Sequence, residues 1–370
     1  MPARSRPLRL TLRVAPSEVE GRACRPPPAL SAAIATVAAL LSLMALAVSG
    51  STPTASRVHV ERQAYVMGTA CRLATYAPNR EVGLARLERM LRALEATEQW
   101  LSTWRDDTAL TRLNRQPVGR PVQLDAELCD LLRTLGRWWA RTEGAFDPAV
   151  GRLVDAWGLR SGGRTPGAAS LVRARARSGF AHVAVDEDCR LTRTRAVTLE
   201  EGAFGKGAGL DRAAAAANGG AWLIDLGGQL MAGGPPPEGM GWDVALAHPR
   251  QRDRPALVVT LVSGSLSTSG GSERDVAVNG RRVGHVLDPR TGHPAAFSGS
   301  VTVWHPQALA ADILSTALYV MGPDRGMRWA EAHGVAACFL LPKVGGRVRV
   351  VKSRSFVDRF GPNDSAALGP

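Results

Sequence analysis

Apolar residues recur at helical spacing in the first half of the chain. Leucines three and four residues apart predict an amphipathic helix over residues 84–94, and a similar pattern predicts a second helix over residues 125–144. Before them, residues 58–76 alternate loosely between apolar and polar, which suggests strands that Met67-Gly68-Thr69 interrupt. The globular part therefore begins with strands and continues with helices.

From about residue 180 the pattern becomes strand-rich. The runs that predict strands are residues 181–185, 196–200, 221–226, 242–247, 256–262, 300–304, 335–341 and 346–351. Helices at 207–217 and 309–320 interrupt these runs, and Asn279-Gly280 indicates a hairpin turn. Helices early and strands later predict an α+β fold built on a mixed sheet, rather than a regular βαβ repeat.

The two ends of the chain differ in composition from the part between them. Residues 1–28 carry six arginines and residues 29–50 form an uncharged apolar run, which predicts a basic N-terminal segment followed by a signal or membrane anchor. Residues 51–57 are predicted to be a polar linker and residues 58–350 one globular domain. Residues 351–370 are predicted to be a poorly ordered tail.

The apolar run predicts export to the cell envelope. Ala45-Leu46-Ala47 offers a small-x-small cleavage site, so the run is either a removed signal or an uncleaved anchor. Both alternatives place the globular part on the periplasmic face of the cytoplasmic membrane, with the positive charge inside. The membrane is an expected partner only if the run is retained.

Arginine accounts for nearly all of the positive charge, since the chain has a formal net charge of +13 and only three lysines. The arginines are scattered through every segment with few aromatic residues beside them, so no nucleic-acid partner is expected. A basic surface would still attract an anionic dinucleotide. The five cysteines show no C-x-x-C pair and no zinc spacing, and they are predicted to be small buried residues. An oxidising compartment would allow a disulfide, but the sequence does not select a pairing.

The segment from His285 to Thr316 carries the strongest chemical signal. Asp312 and Thr316 are four residues apart, so a helix places a carboxylate and a hydroxyl on one face, about one turn apart. Two oxygen ligands at that spacing suit a hard divalent cation, although such a pair also arises as a helix cap or a solvated pair. His285 lies in a turn shaped by Pro289 and Gly292. A base beside a metal suggests transfer chemistry on a phosphate.

The run His285-Val-Leu-Asp-Pro-Arg-Thr-Gly292, followed by Ala311-Asp-Ile-Leu-Ser-Thr-Ala317, resembles the FAD:protein FMN transferase family of the ApbE type. The resemblance covers roughly residues 60–345, and further family-like blocks follow in the expected order. They are Met67-Gly68-Thr69, Leu101-Ser-Thr-Trp104-Arg105, Gly144-Ala-Phe-Asp-Pro148, Gly205-Lys206-Gly207 with Asp211, Leu226-Gly227-Gly228 and Thr268-Ser-Gly270. Each block alone is weakly specific, whereas all of them in order are strongly specific.

The resemblance implies a site for FAD and Mg²⁺. Its metal ligands would be Asp312, Thr316 and the carbonyl oxygen of Ala203. Its catalytic residues would be His285, as general base, and Asp288, close enough in sequence to orient the histidine. The residues that the resemblance implies for the flavin nucleotide are Met67, Trp104, Ala145, Phe146, Asp147, Glu200, Lys206 and Val286.

Two positions carry a further signal. Asp147 precedes Pro148 and is predicted to cap a short helix that ends at Gly158. Gln229 departs from the family pattern, which usually has an acidic residue after the two glycines. The amide cannot supply that charge.

The activity that the resemblance implies is covalent flavinylation. The enzyme would break the pyrophosphate of FAD, attach FMN through its phosphate to a Thr or Ser hydroxyl of an envelope flavoprotein, and release AMP. One alternative is an FAD pyrophosphatase that yields FMN and AMP, and another is a non-catalytic FAD-binding envelope protein. A carrier needs neither base nor metal, which argues against the second alternative, whereas transfer and hydrolysis would use the same site.

Overall fold

The computed structural model describes residues 57–271, 275–278 and 280–362. The predicted basic segment and apolar run, together with residues 363–370 of the predicted tail, lie outside these residues. Among the helices that are described, none combines the length and the apolar character that a membrane crossing requires. The location of the protein therefore stays a prediction from the sequence.

Fifteen strands and eight α-helices form within the described residues. The strands are β1 (Val58–Val66), β2 (Thr69–Ala77), β3 (Val122–Gln123), β4 (Val183–Val185), β5 (Arg190–Arg193), β6 (Ala221–Leu226), β7 (Gln229–Gly233), β8 (Trp242–Ala247), β9 (Pro255–Leu261), β10 (Gly264–Gly270), β11 (Val276–Val278), β12 (Arg281–Val283), β13 (Ser300–His305), β14 (Ala336–Pro342) and β15 (Val348–Lys352). The helices are α1 (Arg80–Leu101), α2 (Ala109–Arg115), α3 (Ala126–Arg141), α4 (Gly151–Trp157), α5 (Ala168–Arg175), α6 (Gly205–Ala216), α7 (Ala308–Ala332) and α8 (Arg354–Phe360).

An eight-stranded sheet in the order β1-β2-β6-β7-β10-β13-β14-β15 organises the fold. Every neighbouring pair in it is antiparallel, so the α+β class is confirmed, but the sheet is not mixed as the sequence suggested. Central strands are buried on both faces. The first four residues of β13 are all buried, whereas β1 at the edge alternates between buried and exposed positions.

Alternate residues of β14 show what covers each face of the sheet. Ala337 and Phe339 pack with residues of α7, whereas Cys338 and Leu340 pack with the β8–β9 hairpin and α8. Helix α7 is apolar on several sides because its other face packs against α3. Gly322, with a φ of 75°, and Pro323 kink this helix after the segment that carries the predicted metal ligands.

Cys129 and Cys189 form a disulfide that joins α3 to the turn between β4 and β5. The sequence had left every pairing open. Strands β3, β5 and β4 form a small sheet beside α3, and the two cysteines lie 60 residues apart in the chain. The disulfide therefore fixes this small sheet to the helix that packs against α7.

Two expectations fail for identifiable reasons. Residues 196–200 do not form a strand, because side chains take the backbone hydrogen bonds that a neighbouring strand would provide. Asn114 accepts the N–H of Leu199 and donates to its carbonyl, and Arg193 donates to the Val197 carbonyl. In the predicted tail, Ser353 caps α8 and the buried Phe356 anchors it, so residues 354–360 form a packed helix.

The strands on either side of the predicted hairpin turn at Asn279-Gly280 pair with each other, although Asn279 itself lies outside the described residues. Val278 pairs with Arg281 in the β11–β12 ladder, as a hairpin between these strands requires. Gly280 has a φ of 73°, the left-handed conformation that such a turn requires. This hairpin begins directly after Asp275 and returns the chain to His285.

Candidate active site

The first turns of α6 and α7 meet at the predicted metal residue. Asp312 is 3% exposed, and its Oδ2 accepts the backbone N–H of Gly207 at 3.0 Å. Lys206 Nζ lies 3.4 Å from Oδ1 of the same carboxylate. Gly207 permits the close approach of the two helices, because a Cβ at this position would lie 2.6 Å from the carbonyl oxygen of Ala308. The close approach places the carboxylate of Asp312 at the N-terminus of α6, beside Lys206.

Asp211 fixes the start of the helix that carries Asp312. Its carboxylate oxygens accept the N–H groups of Ala308 at 2.6 Å and Leu309 at 2.9 Å. Burial raises the pKa of Asp211 above its usual value, and these two hydrogen bonds only partly oppose the effect. Asp211 belonged to a family-like block in the sequence, and the structure shows that it caps α7.

Serines of the neighbouring strand surround the other side of Asp312. Ser267 donates to Asp312 Oδ1 at 3.5 Å, and Ser315 Oγ lies 3.1 Å from Ser267 Oγ and 2.9 Å from Ser269 Oγ. The contacts of Lys206 and Ser267 with Oδ1 are both at the long limit of hydrogen bonding. This buried oxygen therefore keeps lone-pair capacity for a cation.

The predicted metal ligands fit a hard cation such as Mg²⁺. Thr316 lies one turn after Asp312 on α7, and Ala203 ends a 3₁₀ turn (Glu201–Ala203) that contacts α7. In the described part of the chain, no group of three or more His, Cys, Asp or Glu side chains could hold a metal ion. The set thus offers one charged oxygen ligand, which suits Mg²⁺ because this ion commonly completes its shell with substrate phosphate and water.

His285 has a carboxylate partner that the sequence did not identify. Its Nδ1 lies 3.1 Å from Oδ1 of Asp275, and its backbone N–H donates to the same oxygen at 3.2 Å. Partial burial opposes ionisation of Asp275, but the hydrogen bonds from His285 outweigh this effect and lower the pKa of Asp275. When Nδ1–H donates to Asp275, Nε2 is left unprotonated and can accept a proton.

The prediction that Asp288 orients His285 is wrong. Both carboxylate oxygens of Asp288 bind the guanidinium of Arg290, each at 2.9 Å. The backbone N–H groups of Arg290 and Gly292 also bond to Asp288, through its carboxylate and its carbonyl respectively. The side chain of Asp288 therefore forms contacts within its own loop, and these contacts stabilise the loop conformation.

Tyr319 connects the His285 pair to α7. A Cβ on Gly271 would lie 3.2 Å from both the Tyr319 hydroxyl and an Asp275 carboxylate oxygen, so these groups surround one glycine. Burial raises the pKa of Tyr319 to about 12, and the charge of Asp275 contributes to the rise. Tyr319 lies about one turn beyond Thr316 on α7, so the partner of His285 lies near the helix that carries Asp312 and Thr316.

Arg160 joins two residues that the resemblance implied for the flavin nucleotide. Its guanidinium stacks 4.9 Å from the centre of the exposed Trp104 ring and forms an ion pair with Glu200. It also donates to the backbone and side chain of Thr103. Burial and the charge of Glu201 raise the pKa of Glu200 to about 7, although Arg160 opposes the shift.

Met67 is placed against the first turns of α6. It adopts a φ of 53° in the turn between β1 and β2, and its thioether lies close to Gly205 and Gly209. Val286 is partly buried beneath the His285 loop, where its carbonyl accepts the N–H of Ala295 at 2.9 Å. The predicted contacts of Met67 and Val286 with FAD stay predictions.

Ala145, Phe146 and Asp147 are all buried in the core beside α3. Asp147 accepts the N–H groups of Ala149 and Phe180, and α4 begins later than expected, with Val150 at its N-cap. The predicted cap at Asp147 is therefore wrong, because this side chain ties two chain segments together instead. Burial raises its pKa to about 6. The contact of the triplet with the flavin nucleotide stays a prediction.

Gln229 uses its amide where the family usually has an acid. The side chain is 1% exposed, and its Nε2 donates to the carbonyl of Ala308 at 2.9 Å. An amide can donate to this carbonyl, whereas an ionised carboxylate cannot. The residue thus supports the first turn of α7 in this chain without adding negative charge near the predicted metal ligands.

Sequence reasoning missed Asp275 and Arg160. Asp275 lies outside the matched motif, ten residues before His285, and only the β11–β12 hairpin brings it back. Arg160 is one of many arginines scattered through the chain, so nothing in the sequence distinguished it as a site residue. The Asn279-Gly280 turn was the one feature that could have pointed to Asp275, since a hairpin there folds the preceding residues back towards His285.

A family model described as the ApbE family matches residues 67–339. The chain belongs to the ApbE family. Curated relatives named FAD:protein FMN transferase include one from Treponema pallidum, 32% identical over 80% of this chain and 91% of its own, and one from Klebsiella pneumoniae, 30% identical over 78% and 86%. Every residue implied for the site lies within the span of the family match.

Solved structures of the family have the same fold. The ApbE protein from Thermotoga maritima superposes with a TM-score of 0.76 at 28% identity, covering 82% of this chain and 99% of that one. The apo form of the flavinyl transferase ApbE from Pseudomonas stutzeri gives a TM-score of 0.72 at 29% identity, covering 83% and 98%. The comparisons therefore agree on both the fold and the enzyme family.

Proposed function

We propose that this protein is an Mg²⁺-dependent FAD:protein FMN transferase. Membership of the ApbE family, whose curated relatives bear that name, supports the activity. The observation that carries the site assignment is the buried Asp312 carboxylate, held between the first turns of two helices with one oxygen only weakly satisfied. A carrier that only binds FAD needs neither such a carboxylate nor a histidine paired with an aspartate.

The reaction is a phosphoryl transfer from FAD to a Thr or Ser hydroxyl of the client. The hydroxyl oxygen forms a bond to the phosphorus of the FMN moiety while the bond to the bridging oxygen of the pyrophosphate breaks, and AMP leaves with that oxygen. The hydroxyl proton goes to Nε2 of His285. Asp275 holds the ring through Nδ1, which keeps Nε2 available and stabilises the positive charge that develops on the ring.

Fixed positive charge and helix ends would hold the pyrophosphate. Lys206 offers an ammonium group to phosphate oxygens, and the first N–H groups of α6 other than that of Gly207, which Asp312 binds, offer further donors. Asp312, Thr316 and the carbonyl of Ala203 would hold Mg²⁺, which when bound neutralises phosphate charge and aligns the reacting groups. Glu200, through Arg160, positions Trp104 at the edge of the proposed flavin-nucleotide site.

We also propose that the enzyme works in the cell envelope on a flavoprotein client. The arginine-flanked apolar run supports export, and the Cys129–Cys189 disulfide is consistent with an oxidising compartment. Retention of the run would anchor the enzyme in the membrane near such a client.

One assay separates transfer from hydrolysis. The full-length protein is incubated with FAD, Mg²⁺ and a candidate envelope flavoprotein, and AMP release is measured together with flavin fluorescence that stays on the denatured client. We expect both signals, and a client whose acceptor hydroxyl is replaced by Ala should lose the label. AMP released at the same rate without any label would point to an FAD pyrophosphatase. FAD binding without AMP would contradict both enzymatic functions.

A further inference from the structure

A cavity of about 470 Å³ lies away from the residues assigned to the proposed reaction, none of which lines it. It forms where β13 ends and β14 begins, between the last turns of α3 and helix α8. Its volume falls within the range of small-molecule sites. Because α8 lies in a region that the sequence predicted to be poorly ordered, the cavity could not be anticipated from the sequence.

Two arginines of the cavity lining are stacked on tryptophans. The guanidinium of Arg141 lies 5.1 Å from the centre of the Trp138 ring, and that of Arg359 lies 3.3 Å from the centre of the Trp304 ring. Neither arginine has a carboxylate partner within the described residues. A guanidinium stacked on an indole keeps its in-plane N–H groups available, and these groups bind carboxylate and phosphate oxygens well.

The two histidines of the lining add a donor and an acceptor. Nδ1 of His305 accepts the N–H of Gln307, and burial lowers the pKa of His305, so its single proton lies on Nε2. Nδ1 of His333 lies 2.8 Å from the Trp329 carbonyl and must donate to it, so whenever the ring carries a single proton its Nε2 is an acceptor. Asp358 is the one acidic residue in the lining, so the two arginines leave the cavity with net positive charge.

We propose that this cavity binds a small planar aromatic molecule that carries an anionic group. The ring would lie beside the two arginine–tryptophan stacks, against Pro306 and Val335, and the anionic group would contact Arg141 and Arg359. The proposal does not depend on the transferase activity.

The test uses AMP as the probe, because it combines a planar base with a phosphate. The full-length protein is labelled with 5-fluorotryptophan, and the ¹⁹F signals of Trp138 and Trp304 are assigned by Trp→Phe variants. AMP is titrated in the presence of saturating FAD without Mg²⁺, so that the proposed active site is filled and turnover does not occur. We expect the Trp138 and Trp304 signals to shift, while the signal of Trp104, at the proposed flavin site, stays in place.

Matched variants identify the contacts. The double variant Arg141→Gln/Arg359→Gln should weaken AMP binding at least tenfold, whereas Arg137→Gln, one turn earlier on the exposed side of α3, should not change it. Adenosine and inorganic phosphate should each bind at least tenfold more weakly than AMP. The proposal is overturned if the signals do not move, if only Trp104 responds, if the double variant binds AMP as well as the control, or if phosphate or adenosine alone matches AMP.

Discussion

Asp211 and Asp312 cap each other's helices. Asp211 of α6 accepts the N–H groups of Ala308 and Leu309 at the start of α7, while Asp312 of α7 accepts the N–H of Gly207 at the start of α6. Each helix therefore satisfies unpaired N–H groups of the other and places a negative charge at its positive end. The proposed metal ligand is thus part of the contact that holds the two helices together.

Replacing Asp312 by Asn should separate these two roles. The amide oxygen can still accept the Gly207 N–H, so we expect the free energy of unfolding to fall by no more than about 1–2 kcal/mol. Metal-dependent turnover should be lost, because the only charged ligand is gone, and Thr316→Val should cost less. Activity of Asp312→Asn equal to that of the unchanged enzyme across a magnesium titration would contradict the metal assignment.

Loss of the base should affect turnover more than binding. In His285→Ala, we expect kcat to fall roughly 10²–10⁴-fold, the usual range for general-base assistance, with FAD affinity nearly intact. Single-turnover kinetics and fluorescence titration with FAD measure the two quantities. If binding and turnover fall together, His285 positions the ligand or holds the loop and is not the base.

Two aspartates near His285 provide a matched comparison. Asp275→Asn should lower kcat, because the amide cannot stabilise the charge that develops on His285. Asp288→Asn removes a carboxylate from the same loop but leaves the histidine contact intact, so its effect on kcat should be smaller and accompanied by a lower free energy of unfolding. The reverse order of the two kcat values would restore Asp288 as the partner of the base.

Stability should depend on pH through Glu200. Burial and Glu201 raise its pKa in the folded protein to about 7 from a usual value of 4.5. Folding thus favours the protonated form of Glu200. The stabilisation that this form contributes is fully present below about pH 4.5 and is lost as pH rises towards 7. In the unchanged protein, the free energy of unfolding should decline by on the order of 1–3 kcal/mol between about pH 4.5 and 7 because of Glu200. Glu200→Gln should remove this decline. Glu187→Gln, an exposed carboxylate, is the control in urea unfolding, and it should keep the decline.

Reduction of the disulfide should destabilise the fold. Cys129 and Cys189 are 60 residues apart, and a loop of this size corresponds to about 4 kcal/mol of stabilisation in the chain-entropy account. Dithiothreitol should therefore lower the midpoint of thermal unfolding of the unchanged protein. The double variant Cys129→Ala/Cys189→Ala should start lower and not respond to the reductant. An equal response of both proteins would mean that the two cysteines are not joined.

The arginine-flanked apolar run predicts an envelope location. Fractionation of cells that express the full chain should recover it in the periplasmic or membrane fraction. Mass analysis of the mature N-terminus then distinguishes cleavage near Ala47 from a retained anchor. Recovery of the intact chain from the cytoplasm would contradict the prediction.

The sequence identified the residues of the site better than their partners. The spacing of Asp312 and Thr316 on a helix is a local property, and the structure places both on α7 as expected. The partner of His285 is a tertiary property, because it depends on how the β11–β12 hairpin returns the chain. Asp288 was the nearest acidic residue in sequence, but the turn that Gly292 closes directs it to Arg290.

The predicted secondary structure failed where side chains replaced the usual backbone pairing. The apolar run at 196–200 has the composition of a strand, yet Asn114 and Arg193 satisfy its backbone groups. Helix α8 was missed because the polar, glycine-containing residues around it suggest disorder, while its stability depends on one buried ring, Phe356. Both outcomes depend on distant contacts that no local pattern records.

The order of the strands has a consequence for protein engineering. β1 and β15 are the two edges of the eight-stranded sheet, and seven strand spacings of about 4.8 Å place them roughly 34 Å apart along it. A circular permutant that joins these strands would need a linker of at least about ten residues. A fluorescent reporter fused after α8 would, for the same reason, be attached at the far edge from β1 and would leave the N-terminal segment free to be tethered independently.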